Sequence, residues 1–132
     1  MQRFPDWSTR LDHYLATLRG QRFRYGIFDC CLFVCGAIEA TTGTDPARSF
    51  RGLYHSRSDG RKLLRGAGGI AAIAAAHGMV EVSVNHAKRG DVVMLTGSSL
   101  GLVALNGRDV LVIGEEGLKA VPRGLAMRAW SV

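Results

Sequence analysis

Cys30, Cys31 and Cys35 are the only cysteines of the chain, and the first of them follows Asp29 in the stretch Tyr25-Gly26-Ile27-Phe28-Asp29-Cys30-Cys31-Leu32-Phe33. Asp is a good helix N-cap, because its carboxylate accepts hydrogen bonds from the free amides of the first turn. With Asp29 as cap, Cys30 becomes the first helical residue. There the aligned peptide dipoles favour a negative charge and make a thiolate easier to form. Cys30 is therefore a candidate nucleophile, set against the ordinary use of cysteine as a small buried residue. Cys31 and Cys35 share an apolar helical face with Val34 and Ile38 and read as core. A zinc site built on the three thiols would need a fourth ligand, and their spacing matches no usual zinc pattern. An iron–sulfur cluster would need another ligand from a partner chain. A cysteine nucleophile also needs a base, and the chain offers His13, His55, His77 and His86.

The elements that must position these residues can be read in order. Trp7, Leu11, Tyr14, Leu15 and Leu18 fall on one face of a first helix, with Asp6 or Ser8 as cap and Gly20 as stop. A loop over 21–28 alternates Arg22 and Arg24 with Phe23 and Tyr25. The second helix runs from about Cys30 to Thr41 and ends at Gly43. Asp45-Pro46 predicts a short helix through about Phe50, cap then proline. Ser56 and Ser58-Asp59 are caps for a helix on which Arg57, Arg61 and Arg65 share one face. That face is the densest basic patch, either solvated or a partner surface. Gly66 to Gly69 break the chain, and Ile70 to His77 form an alanine-rich helix ended by Gly78, where His77 suits the helix dipole.

From Val80 onward the pattern turns to strands. Gly90-Asp91 precedes the buried run Val92 to Leu95, and Leu100 to Leu105 is a second strand. Asn106-Gly107 is a tight hairpin signal leading into Val110 to Ile113. Leu118 to Val121 and, after Pro122, Met127 to Trp130 complete an antiparallel meander. Helices followed by such a meander predict an α+β arrangement in one domain spanning 1–132.

The 132 residues are enough for one core, and 47% hydrophobic against 21% charged residues marks a globular chain. The net charge of +6 comes from basic residues spread from Arg3 to Arg128. Without a stacking-aromatic or basic-helix motif, that charge ranks a nucleic-acid role last. No apolar run reaches membrane-spanning length, and the N-terminus lacks a signal-peptide apolar segment, which predicts a cytoplasmic start. An odd number of cysteines within one helix predicts no disulfide framework.

Taken together, Tyr25 to Phe33, Thr42-Gly43-Thr44-Asp45-Pro46-Ala47, Phe50-Arg51-Gly52, Leu63-Leu64-Arg65, Gly68-Gly69, Arg89-Gly90-Asp91-Val92-Val93 and Ala129-Trp130 resemble the NlpC-type cell-wall endopeptidases. More narrowly, the chain resembles a short NlpC-like family encoded in the tail-gene clusters of siphophages, prophages and gene transfer agents. The resemblance implies a papain-like α+β fold, with the cysteine-bearing helix packed on a small antiparallel sheet. It implies Cys30 as nucleophile on an amide carbonyl of a peptidoglycan stem peptide, Tyr25 beside it, and helix-start amides around the oxyanion. It also implies a histidine base at the start of the second strand of the sheet. Here that strand reads Ser98-Ser99-Leu100-Gly101-Leu102-Val103, and no histidine follows His86. His86, just before the first strand, is the one substitute, and nothing in its spacing brings it within hydrogen-bond reach of the sulfur. Loss of the base costs a cysteine enzyme orders of magnitude in rate. The expectation is therefore a phage tail tip or baseplate protein with a degenerate peptidase fold. It would work in the virion tail after synthesis in the host cytoplasm. Its partners would be other tail-tip proteins, copies of itself within the tail, and peptidoglycan; no cofactor, metal or nucleic acid is called for. The alternative is an active endopeptidase or amidase used in cell-wall penetration.

Overall fold

The computed structural model describes residues 1–132. Four helices precede all six strands: α1 Trp7–Thr17, α2 Cys30–Thr42, α3 Arg57–Gly66 and α4 Ile70–Ala76. The strands are β1 Val80–Val82, β2 Val92–Met94, β3 Leu100–Val103, β4 Asp109–Gly114, β5 Gly117–Pro122 and β6 Arg128–Ser131. They form one antiparallel sheet in the order β1-β6-β2-β3-β4-β5. The protein is thus α+β. None of its helices is long and apolar enough to cross a membrane.

Strand alternation sorts the core onto the two faces of the sheet. Val92, Leu100, Leu102, Ile113 and Trp130 point toward the helices and pack with Leu11, Phe33, Val34, Ala37 and Ile38. Their strand neighbours Val93, Val103, Val110, Val112 and Ala129 build a second cluster on the opposite face. That face is covered by short non-sheet segments, with Ala87 in the cluster and Val84 and Ala126 packed against it.

Two local expectations change. Asp45 to Phe50 forms successive turns and no helix. The Asp45 carboxylate folds back on the chain, accepting from the Ala47 amide at 2.9 Å and from Arg51 Nε at 2.6 Å. A side chain that satisfies nearby donors in this way competes with helix formation. The sheet is also not a simple meander. Val80–Val82 adds an edge strand that pairs with β6, and β6 lies between β1 and β2.

The chain ends are tied to the sheet by one buried carboxylate. Asp91, 2% exposed, accepts from Arg3 Nη2 at 2.7 Å, from the Lys88 amide at 2.8 Å and from the Val132 amide at 3.1 Å. Arg3 also donates to the carbonyls of Arg89 and Val132, and its guanidinium carbon lies 4.2 Å from the Trp7 ring centre.

A cysteine cleft between the helices and the sheet

Asp29 does cap α2, and it does more than cap. Its Oδ1 accepts from the Leu32 amide at 2.9 Å, while Oδ2 accepts from the Gly26 amide at 2.9 Å and from the Tyr54 hydroxyl at 2.5 Å. Two of these donors lie outside the helix, so one carboxylate fixes the loop before α2, the helix start and the Tyr54 segment together. Gly26 allows this closure. Its φ is +79°, and a Cβ there would come within 1.9 Å of the Tyr54 carbonyl oxygen. Gly60 in α3 gives room on the other side, since a Cβ would meet the Tyr54 ring at 3.1 Å.

Cys30 opens α2 as expected and is half-buried in a cleft of about 300 Å³. The cleft wall is mostly apolar and includes Phe23, Tyr25, Tyr54, Leu63 and Ile113. Tyr25 stands at its rim, with its ring edge-on to Phe23 at 4.6 Å between centres. Across from α2, Gly97, Ser98 and Ser99 form the lip that leads into β3. Ser98 is the one non-glycine residue with a left-handed φ, at 64°.

The charge state of the sulfur is set by two opposed effects. Burial pushes the Cys30 thiol up from its ordinary value, and backbone hydrogen bonding from Leu100 pulls it partly back. The neighbouring Cys31 and Asp29 charges push it further up. Burial, the largest of these effects, opposes the thiolate that a helix start favours. Cys31 and Cys35 lie one turn apart. Hydrogen bonding to Cys35, followed by burial, holds the Cys31 thiol well above its usual range. All three thiols are free, and they do not converge with other side chains into a metal-ligand set.

None of the four histidines lines the cleft. His13 and His55 are exposed, and His77 ends α4 with Nδ1 2.9 Å from the Ile73 carbonyl. His86 is exposed on a short turn, Val84–His86. Val84 and the following Ala87 pack on the face of the sheet opposite α2. The sheet therefore stands between the His86 segment and Cys30. The lip of the cleft just before β3 carries Ser98 and Ser99.

Arg57 and Arg61 stand at the edge of the cleft, and with Arg65 they line an adjoining groove that Arg128 closes on the sheet side. All four are exposed. Two contributors were not visible in the sequence. Tyr54 gave no signal, because its partner Asp29 is distant along the chain. Arg128 joins the basic face only through the pairing of β6 with β2.

Residues 2–132 match the family model described as Domain of unknown function (DUF6950). The chain belongs to that family. No curated protein matches it. The DUF6950 match takes in the capped cysteine helix, the sheet and the clasp at the chain ends alike, so all the features described above lie within the family's domain.

Proposed function

We propose that this protein is a phage tail tip or baseplate component in which a papain-like, NlpC-type hydrolase fold serves as a non-catalytic assembly module. Support for the fold reading is the arrangement of a cysteine at a helix start, packed against the strand that begins at Leu100. The tail setting rests on the sequence resemblance.

The observation that carries the non-catalytic reading is the composition of the cleft. It holds a nucleophile-type residue whose thiol is pushed toward the protonated form, and its lining contains no histidine and no carboxylate other than Asp29. Asp29, the nearest carboxylate, already accepts three hydrogen bonds, and one of the helix-start amides suited to an oxyanion, that of Leu32, is bonded to it. A cysteine hydrolase needs a thiolate and a proton donor for the leaving amine. At this site burial disfavours the thiolate, and no histidine lines the cleft to pass that proton on.

The test is particle composition together with a cysteine variant. Mass spectrometry of tailed particles from the source organism is expected to find the chain as a stoichiometric component. Particles assembled with Cys30→Ser are expected to keep full infectivity. Absence of the chain from purified particles contradicts the tail reading. Loss of infectivity in Cys30→Ser particles, with release of stem-peptide fragments from peptidoglycan by the unmodified protein, establishes the hydrolase instead.

A further inference from the structure

Arg57, Arg61 and Arg65 form a row along α3 without any ion partner. The five ion pairs of the chain are Arg3–Asp91, Arg10–Asp6, Arg22–Glu116, Arg51–Asp45 and Arg128–Glu81, and none uses the row. The groove that the row shares with Arg128 contains no carboxylate among its lining residues. Like charges one turn apart on a helix repel one another, so this row is held at a cost that an anionic partner would reverse. The groove and the Cys30 cleft are continuous, with Arg57, Arg61, Leu64, Ile70 and Ser98 belonging to both.

We propose that this groove is a docking site for an extended acidic peptide segment of a partner chain, with one apolar side chain of that segment seated in the Cys30 cleft. The proposal names the partner chemistry of the non-catalytic module inferred above, and it rests on that reading in one respect: the segment is held and not cut.

Spacing favours a peptide. Residues four apart on a helix advance about 6 Å along its axis. Alternate side chains of an extended chain, all on one face, advance about 6.6–6.8 Å. Acidic residues at every second position would therefore meet Arg57, Arg61 and Arg65 in register, each able to take a carboxylate on its fork of N–H donors. The adjoining cleft suits the apolar anchor, being about 300 Å³ and walled by Phe23, Leu63, Ile113 and their neighbours. A nucleic-acid strand has phosphates for the arginines, but its bases need flat aromatic faces. Phe23 and Tyr25 turn edge to face toward each other, at 87°, and offer no parallel platform.

The experiment uses a dye-labelled peptide in which one phenylalanine precedes glutamates at every second position of a glycine–serine background. Binding to the full chain is followed by anisotropy near physiological ionic strength, and the peptide is checked by mass spectrometry afterwards. Saturable binding is expected, weakened about tenfold or more in the Arg57→Gln/Arg61→Gln/Arg65→Gln variant. Replacing the glutamates by glutamine should weaken it comparably. Bound peptide should also slow alkylation of Cys30 at alkaline pH, while a version with alanine for the phenylalanine should not. Circular dichroism of the triple variant should match the parent, since the three side chains are exposed and make no ion pair.

The proposal is overturned by no saturable binding up to about 1 mM, by binding that the triple variant keeps, or by no protection of Cys30. It is also overturned if an oligothymidylate of similar length binds more tightly through the same arginines. The two readings fail separately. A peptide that binds through the row and is then cleaved refutes the non-catalytic reading and leaves the docking site standing. An intact peptide that does not bind refutes the docking site alone.

Discussion

Arginine does opposite work at the two sides of this molecule. At the chain ends, Arg3 is fully engaged: Asp91 at 2.7 Å, two backbone carbonyls, and the Trp7 ring beneath it. Burial lowers its pKa, and the Asp91 charge and hydrogen bond pull it back up. On α3, the same residue type repeats at Arg57, Arg61 and Arg65 with no carboxylate near enough to pair. A charge that is desolvated has to be matched within the chain. A charge left in water can wait for a partner. The first region is tied into the fold, and the second is the region proposed above to meet a partner.

That contrast is broken first at the clasp. Asp91→Ala should leave the Arg3 charge without its partner and two backbone amides without theirs. The expected loss is about 3–5 kcal/mol, read from urea unfolding. Peptide binding by the surviving folded protein should be unchanged. A loss under about 1 kcal/mol would mean that the clasp is incidental.

The cleft carries the next largest effect. Tyr54→Phe deletes one hydrogen bond to a buried carboxylate and should cost about 1.5–3 kcal/mol. It should also speed Cys30 alkylation by loosening the loop before α2. An unchanged alkylation rate would show that Asp29 holds the loop through backbone amides alone.

Alkaline pH acts on the buried interior and spares the arginine row. The Tyr14 hydroxyl donates to the Phe33 carbonyl, and burial pushes its pKa up to about 12. Burial and the bond to Asp29 raise Tyr54, and Cys30 and Cys31 are raised as well. In the unfolded chain thiols ionise near about 8.5 and tyrosines near about 10. Above those values the folded state holds more protons than the unfolded one, so stability falls as pH rises. The melting temperature should begin to drop above about pH 8.5 and drop faster above about pH 10. A melting temperature constant up to pH 11 would contradict the buried setting of these groups.

The smallest expected effect sharpens the contrast from the other side. Replacing Arg57, Arg61 and Arg65 by glutamine should change stability by no more than about 0.5 kcal/mol in urea. A larger loss would place the row among structural charges with Arg3.

The sequence was most informative where the signal is local. Asp29 as cap, Gly43 at φ 82° ending α2, and the Asn106-Gly107 turn between β3 and β4 all act within a few residues. The helical stripe from Trp7 to Leu18 marked its buried face in the same way, and the apolar runs Val92 to Leu95 and Val110 to Ile113 marked buried strands without telling which sheet face each residue takes. Long-range pairing was not legible. β1 is three residues long, with Val80 64% exposed, and exists as a strand because β6 lies beside it. Tyr54 matters through Asp29, twenty-five residues away in the chain. The helix-start argument for a thiolate used local dipoles alone, and the burial that opposes it comes from packing of distant segments. The sequence also showed that no histidine follows His86, and the cleft is lined by Ser98 and Ser99 with no histidine.

The central claim is that Cys30 is held as a thiol without a base. The measurement that meets it most directly is the iodoacetamide alkylation rate at Cys30 against pH, with the modified residue located by mass spectrometry. The account predicts a slow rate through neutrality that climbs only above the free-thiol value of about 8.5, unchanged in His86→Ala. A rate already high near pH 6, lost in His86→Ala, would contradict it and restore a catalytic thiolate.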